Sequence, residues 1–191
     1  NPDLVLISDF FPPESYQTLR EMGMKVYVYK TPSNFKEIKA SILEIAQVVG
    51  ELEKGKQIVA EMDARIQKLQ EKLGDIKEKR KVLFMHAFGA YYSPKGTFGD
   101  TCSLAGVEDV TRSLNYSQPC TLSQETIVQL NPDSFVIGDW NFDGKHSPEA
   151  LKEEILSNQS YMTTNAGKNK SIILIPSAHL LTSSQYFVLG V

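Results

Sequence analysis

A ten-residue pattern occurs twice in this chain, and it limits the fold more than any other feature. Asn1-Pro2-Asp3-Leu4-Val5-Leu6-Ile7-Ser8-Asp9-Phe10 opens the sequence, and Asn131-Pro132-Asp133-Ser134-Phe135-Val136-Ile137-Gly138-Asp139-Trp140 returns 130 positions later. Each copy begins with a turn, since proline fixes φ and the flanking Asn and Asp can bond their own backbone. A short, almost wholly apolar run follows, as suits a strand covered on both faces in a parallel sheet. A small residue, an Asp and a large aromatic close each copy. In an open α/β sheet the ligand crevice lies outside the carboxyl ends of the strands. Phe10 and Trp140 are therefore expected at equivalent mouths of two related half-structures.

The bulk numbers fit a globular protein of one domain or two small ones. The chain has 191 residues, 41% of them hydrophobic and 23% charged. A net charge of −3 gives no electrostatic reason to expect nucleic acid. No apolar run approaches the ~20 residues that cross a bilayer. The chain begins inside a strand-like segment and ends in Tyr186-Phe187-Val188-Leu189-Gly190-Val191, so it reads as a piece excised from a longer protein. Cys102 and Cys120 belong to no Cys-x-x-Cys pair. Two free, buried thiols are the plainer reading, with a disulfide as the alternative outside the cytoplasm.

Read in order, the first motif leads into a helix opened by Pro12-Pro13-Glu14 and stopped at Gly23, with Tyr16, Leu19 and Met22 on its apolar face. Residues 25–29 form the next strand, completing a β-α-β unit. Phe35, Ile38, Ile42, Ile45 and Val49 keep helical spacing, and after Gly50 so do Ile58, Met62, Ile66, Leu69 and Leu73. This second helix is long and charged on its outer face, a strut between the two copies of the motif. A strand over 81–85 runs into a long aromatic, glycine-rich loop, His86 to Thr97. A short helix over 98–105 is closed by Gly106. Ser123 and Ser147 cap two more helices, and the strand 172–175 ends at Pro176. The expected class is α/β: two Rossmann-like lobes of parallel sheet flanked by helices, joined by one long helix, the first lobe incomplete. The boundaries fall at 1–50, 51–79 and 80–191.

Catalytic signatures are missing from this sequence. It has no P-loop, no Gly-x-Gly-x-x-Gly and no Gly-x-Ser-x-Gly. His86, His146 and His179 form no zinc-type spacing with each other or with cysteine. Asp9 and Asp139 are the pair that symmetry brings to the crevice, and their expected task is to hold the turn after each strand by accepting backbone N–H groups. Post-strand loops are instead rich in aromatics: Phe10, Phe11, Tyr91, Tyr92, Phe98, Trp140 and Phe142. Such rings suit a cleft for a large, flat or greasy ligand. No arginine is expected there, with Arg20, Arg65, Arg80 and Arg112 placed elsewhere, and Lys95 and Lys145 supply the positive charge.

Several stretches, in order, resemble the substrate-binding proteins of ABC importers for iron-siderophores, haem or cobalamin. They are residues 1–5, 19–26, the approach to the long helix at 42–56, Ser123-Gln124-Glu125-Thr126 through Asn131-Pro132-Asp133, and 161–175 with Asn165-Ala166-Gly167-Lys168-Asn169-Lys170. The resemblance covers essentially the whole chain. It implies two lobes bridged by a helix that hinges little, and a non-enzymatic role: capturing the chelate, haem or cobalamin between the lobes and delivering it to a permease and its ATPase. It implies an extracytoplasmic location, in the periplasm or lipid-anchored on the outer face of the membrane. It makes Glu125 a permease-docking acid. Ligand-binding candidates are then Phe10, Phe11, His86, Tyr91, Tyr92, Trp140 and His179, with no cofactor and no metal held by the protein itself. The family's first lobe starts further upstream and its final helix lies further downstream, so this chain is expected to be truncated at both ends. The alternatives are a chelatase-like metal-chelate enzyme and a ligand-sensing receptor domain on the same fold.

Overall fold

The computed structural model describes residues 2–93, 96–139, 147–180 and 182–191. Its first segment is the expected β-α-β unit: β1 (Val5–Ser8), α1 (Pro13–Glu21) and β2 (Val26–Tyr29), with the strands parallel and Val5 opposite Val26. Proline at the start of α1 and Gly23 at φ +84° just beyond it bound that helix as read from sequence. Two helices follow, α2 (Phe35–Val48) and α3 (Leu52–Leu73). The Asn34 side chain accepts the Glu37 N–H and caps α2. At their crossing Gly55 lies so close to α2 that an added Cβ would stand 2.5 Å from the Ala46 Cβ.

The second sheet is mixed. Its strands are β3 (Lys81–His86), β4 (Gly89–Tyr92), β5 (Glu108–Asp109), β6 (Cys120–Thr121), β7 (Ser134–Gly138) and β8 (Ile172–Ile175). The order is β6-β4-β3-β7-β8, with β5 also on β3. β3, β7, β8 and β5 run parallel, whereas β4 is antiparallel to β3 and β6 is antiparallel to β4. An all-parallel sheet was expected, and the difference lies in one hairpin. Gly89 takes φ +97°, turning the chain back two residues after β3 and converting the start of the predicted loop into β4.

Helices cover both faces: α4 (Thr97–Leu104), α5 (Gln124–Leu130), α6 (Pro148–Ser157), α7 (Asn165–Lys168) and α8 (Ser177–Leu180). Ser123 and Ser147 cap α5 and α6 through their hydroxyls, as their positions predict. Alternation along β3 separates two layers. Leu83 and Met85 join Phe135, Ile137, Leu151 and Ile155 in one, and Val82 joins Val136, Cys102 and Leu180 in the other. A third core, Ile38, Met62, Ile66 and Phe187, joins α2 and α3 to a 3₁₀ turn, Gln185–Leu189. Phe187 is fully buried there and stacks on Phe35 at 5.5 Å, and Val188 is buried beside it. The Phe35 N–H also donates to Asp100 Oδ2 of α4, at 2.7 Å.

Both motif aspartates accept backbone N–H groups as expected, but from the exit of the neighbouring strand rather than from the turn after their own. Asp9 Oδ1 accepts the Thr31 N–H and hydroxyl at 2.7 and 2.8 Å, and Asp139 Oδ1 accepts the Ser177 N–H at 2.7 Å. Each clamps the carboxyl end of its strand to the segment leaving the neighbouring parallel strand. The second Asn-Pro-Asp bonds to neighbouring elements rather than to its own backbone. Asn131, left-handed at φ 45°, accepts the Asn165 N–H, while Asp133 accepts the Lys81 N–H at 2.9 Å and the Asn165 side-chain amide at 2.9 Å. Cys102 and Cys120 are free.

Two stability measurements test this account. The Lys81 N–H, then the Asn165 amide, hold the Asp133 carboxyl below its ordinary range. Its contribution is therefore full above the unfolded value of ~3.9 and fades as pH falls through the lower native value. Asp133→Ala should cost about 1 kcal/mol by urea unfolding at pH 7, and distinctly less at acid pH below both values. Gly55→Ala should cost about 1–3 kcal/mol by the same measurement, because overpacking of the helix crossing outweighs the helix-propensity gain of ~1 kcal/mol.

Candidate functional site

β3 divides one of its edges between two partners. Lys81 and Val82 pair with β5, and Met85 and His86 pair with β4. The segments that leave these partners diverge, and α4 covers the space between them. A cavity of about 580 Å³ opens there, at the carboxyl end of β3, where the crevice rule places a ligand. Phe84, His86, Phe88, Tyr91 and Phe98 supply its aromatic wall, and Gly99, Asp109, Thr111 and Arg112 close the other side.

Period-two alternation decides which of the aromatic candidates take part. His86 continues the Val82–Phe84 face of β3 and lines the cavity. In β4, Tyr91 lies on that face, 44% exposed, while Ala90 and Tyr92 point the other way into the core. Tyr92 is accordingly corrected from ligand-binding candidate to core residue: it is 6% exposed and its hydroxyl donates to the Tyr116 carbonyl. Phe10 and Phe11 stand apart from this wall, packed edge to face at 6.0 Å beyond β1, with Phe10 80% exposed. His179 sits on α8, near enough to Asp139 to help hold that carboxyl low but outside the cavity wall. Trp140, Phe142, His146, Lys95 and Lys145 lie outside the described residues.

His86 is surrounded by rings: Phe84 and Phe88 at 5.9 Å and Tyr91 at 6.2 Å. Burial lowers its pKa, so the neutral form is favoured. Its Nδ1 accepts the Phe88 N–H at 3.2 Å, which puts the ring hydrogen on Nε2. A metal-ligating histidine usually has the opposite arrangement, with the far nitrogen donating to an acceptor. Here Nε2 offers a hydrogen-bond donor.

Sequence reasoning missed the polar side of the cavity. Asp109 is 7% exposed, and its Oδ1 accepts the Thr111 N–H at 3.0 Å and hydroxyl at 2.8 Å, which starts the 3₁₀ turn Val110–Ser113. Burial nevertheless pushes its pKa up, the Thr111 bonds opposing. Arg112, expected elsewhere, lines the cavity. Its guanidinium rests on Gly99 so closely that an added Cβ would fall 2.1 Å from one terminal nitrogen and 2.4 Å from Cζ. The signal that could have found this contact is a glycine inside a helix, where it weakens helix formation unless something needs the space. Burial also pushes the Cys102 thiol far up, with Asp109 adding to the effect, which favours the protonated thiol.

Glu125 lies apart on the first turn of α5, exposed, its carboxyl held low by its own backbone N–H and the Ser123 hydroxyl. Among the described residues no group of three or more His, Cys, Asp or Glu side chains could hold a metal ion. Among them, too, no helix is long and apolar enough to cross a membrane.

The apo form of RhuT, a periplasmic haem-binding protein from Roseiflexus sp. RS-1, superposes with a TM-score of 0.85 at 19% identity, covering 100% of this chain and 73% of that one. HutB, a periplasmic haem-binding protein of Vibrio cholerae, gives 0.79 at 21% identity, covering 99% and 74%. At these identities the likeness is one of fold. The iron-uptake system-binding protein of Bacillus subtilis is 23% identical over 156 residues, 80% of this chain and 48% of the relative. A cobalamin-binding protein of Halobacterium salinarum is 26% identical over 143 residues, 72% of this chain and 38% of the relative. This chain thus spans about half the length, or less, of these curated relatives. With the family model matched across residues 1–179, the chain belongs to the periplasmic binding protein family.

Proposed function

We propose that this chain is the capture component of an ABC importer. It takes up an iron chelate, haem or a corrinoid outside the cytoplasm and passes it to a membrane permease. The observation that carries the reading is the aromatic cavity at the carboxyl end of β3, large enough for a substantial part of such a ligand. Family membership sets its extracytoplasmic context. In this reading residues 1–50 belong to one lobe, 51–79 to the connecting helix and 80–191 to the other lobe. The ligand lies against His86, Phe88 and Tyr91.

A fluorescence titration with ferric haem, cobalamin and ferric hydroxamate and catecholate siderophores tests the cavity. One ligand class should quench saturably, and Phe88→Ala should weaken it about tenfold, equivalent to ~1.4 kcal/mol. A panel without saturable binding would remove the reading. Glu125 is the proposed docking residue, an exposed acid held charged at a helix start. Glu125→Lys should leave the binding curve unchanged while cellular uptake of the ligand falls; undiminished uptake would count against docking.

A further inference from the structure

We infer that the cavity selects a ligand bearing an oxyanion, such as a carboxylate, and that Arg112, seated on Gly99, is the residue that reads it. The inference rests on the proposed cavity and narrows its ligand class.

The lining is mainly apolar and aromatic, and among the described residues Arg112 is its one fixed cation. Arg112 makes no hydrogen bond and no ion pair within 4.0 Å among them. Asp109, the nearby acid, directs one carboxylate oxygen to Thr111; burial disfavours its anion and the Arg112 charge favours it, but from beyond ion-pair distance. The fork of guanidinium donors therefore remains available. Arg112 is solvent-exposed, and a carboxylate, sulfonate or phosphate matches its fork.

Gly99 is the second observation. It occupies α4, where alanine would be the better helix former by ~1 kcal/mol. The space that glycine leaves is filled by the Arg112 guanidinium. A methyl group at position 99 would displace that flexible end without touching the backbone, so the charge would move while the fold stays. His86 completes the pattern with an Nε2–H donor rather than a free lone pair. The polar handles of the cavity thus match acceptors on the ligand's periphery rather than a metal at its centre.

Two fluorescent probes with one aromatic skeleton separate charge from shape: 8-anilinonaphthalene-1-sulfonate and the neutral N-phenyl-1-naphthylamine. The chain should bind the sulfonate more tightly. Arg112→Gln should weaken the sulfonate about tenfold or more and leave the neutral probe unchanged. Gly99→Ala should do the same while the melting temperature holds or rises, the opposite of a folding defect. Equal binding of both probes by these two variants and the parent chain, with Phe88→Ala still weakening both, would overturn the role of Arg112 and leave the cavity standing. Probe binding indifferent to Phe88→Ala would show that the cavity itself is not the apolar site, and would overturn both readings.

Discussion

The parallel pairing of β3 with β7 is the constraint on which the second sheet and its cavity depend. Both strands are apolar on two faces, and Leu83, Phe135 and Ile137 are almost wholly removed from water. Once they pair in register from Val82–Ser134 to Met85–Ile137, one side of β3 is committed and the other is left for the short strands β5 and β4. Neither is long enough to occupy that edge alone. The cavity lies in the resulting division, so a polar and aromatic pocket forms without an opening in the main core. Asp133 reinforces the arrangement at its base by bonding the first residue of β3 beside the entry to β7.

Much of this was legible because it depends on local periodicity. The three-four spacing of α2 and α3 and the serine caps specify structure within a few residues. Asp9 and Asp139 were also legible, since a carboxylate at the end of a parallel strand has backbone N–H groups close by. What escaped depends on contacts between distant segments. The antiparallel β4 follows from a two-residue turn ending in Gly89, in a stretch whose glycines and aromatics read equally well as a loop. Tyr91 and Tyr92 look alike in sequence, and only the pleat of β4 separates cavity from core. Arg112 reaches its place because β5 docks on β3 and Asp109 turns the chain immediately afterwards. The burial of Phe187 and Val188 likewise depends on distant partners, since Phe35 on α2 and the inner face of α3 lie more than a hundred positions earlier.

The combination of aromatic wall and single guanidinium also bears on selectivity. An apolar ligand that covered Arg112 without supplying an anion would strip water from the charge and leave it unpaired. Removing one partner from a buried charge pair costs several kcal/mol, and burying a charge with no partner carries the same kind of penalty. The residue therefore acts twice, attracting an oxyanion and rejecting a neutral ligand of similar shape. Aromatic area alone discriminates poorly, since any flat apolar body gains from it. The difference between two such bodies resides in the charged fork, and Gly99 determines where that fork stands.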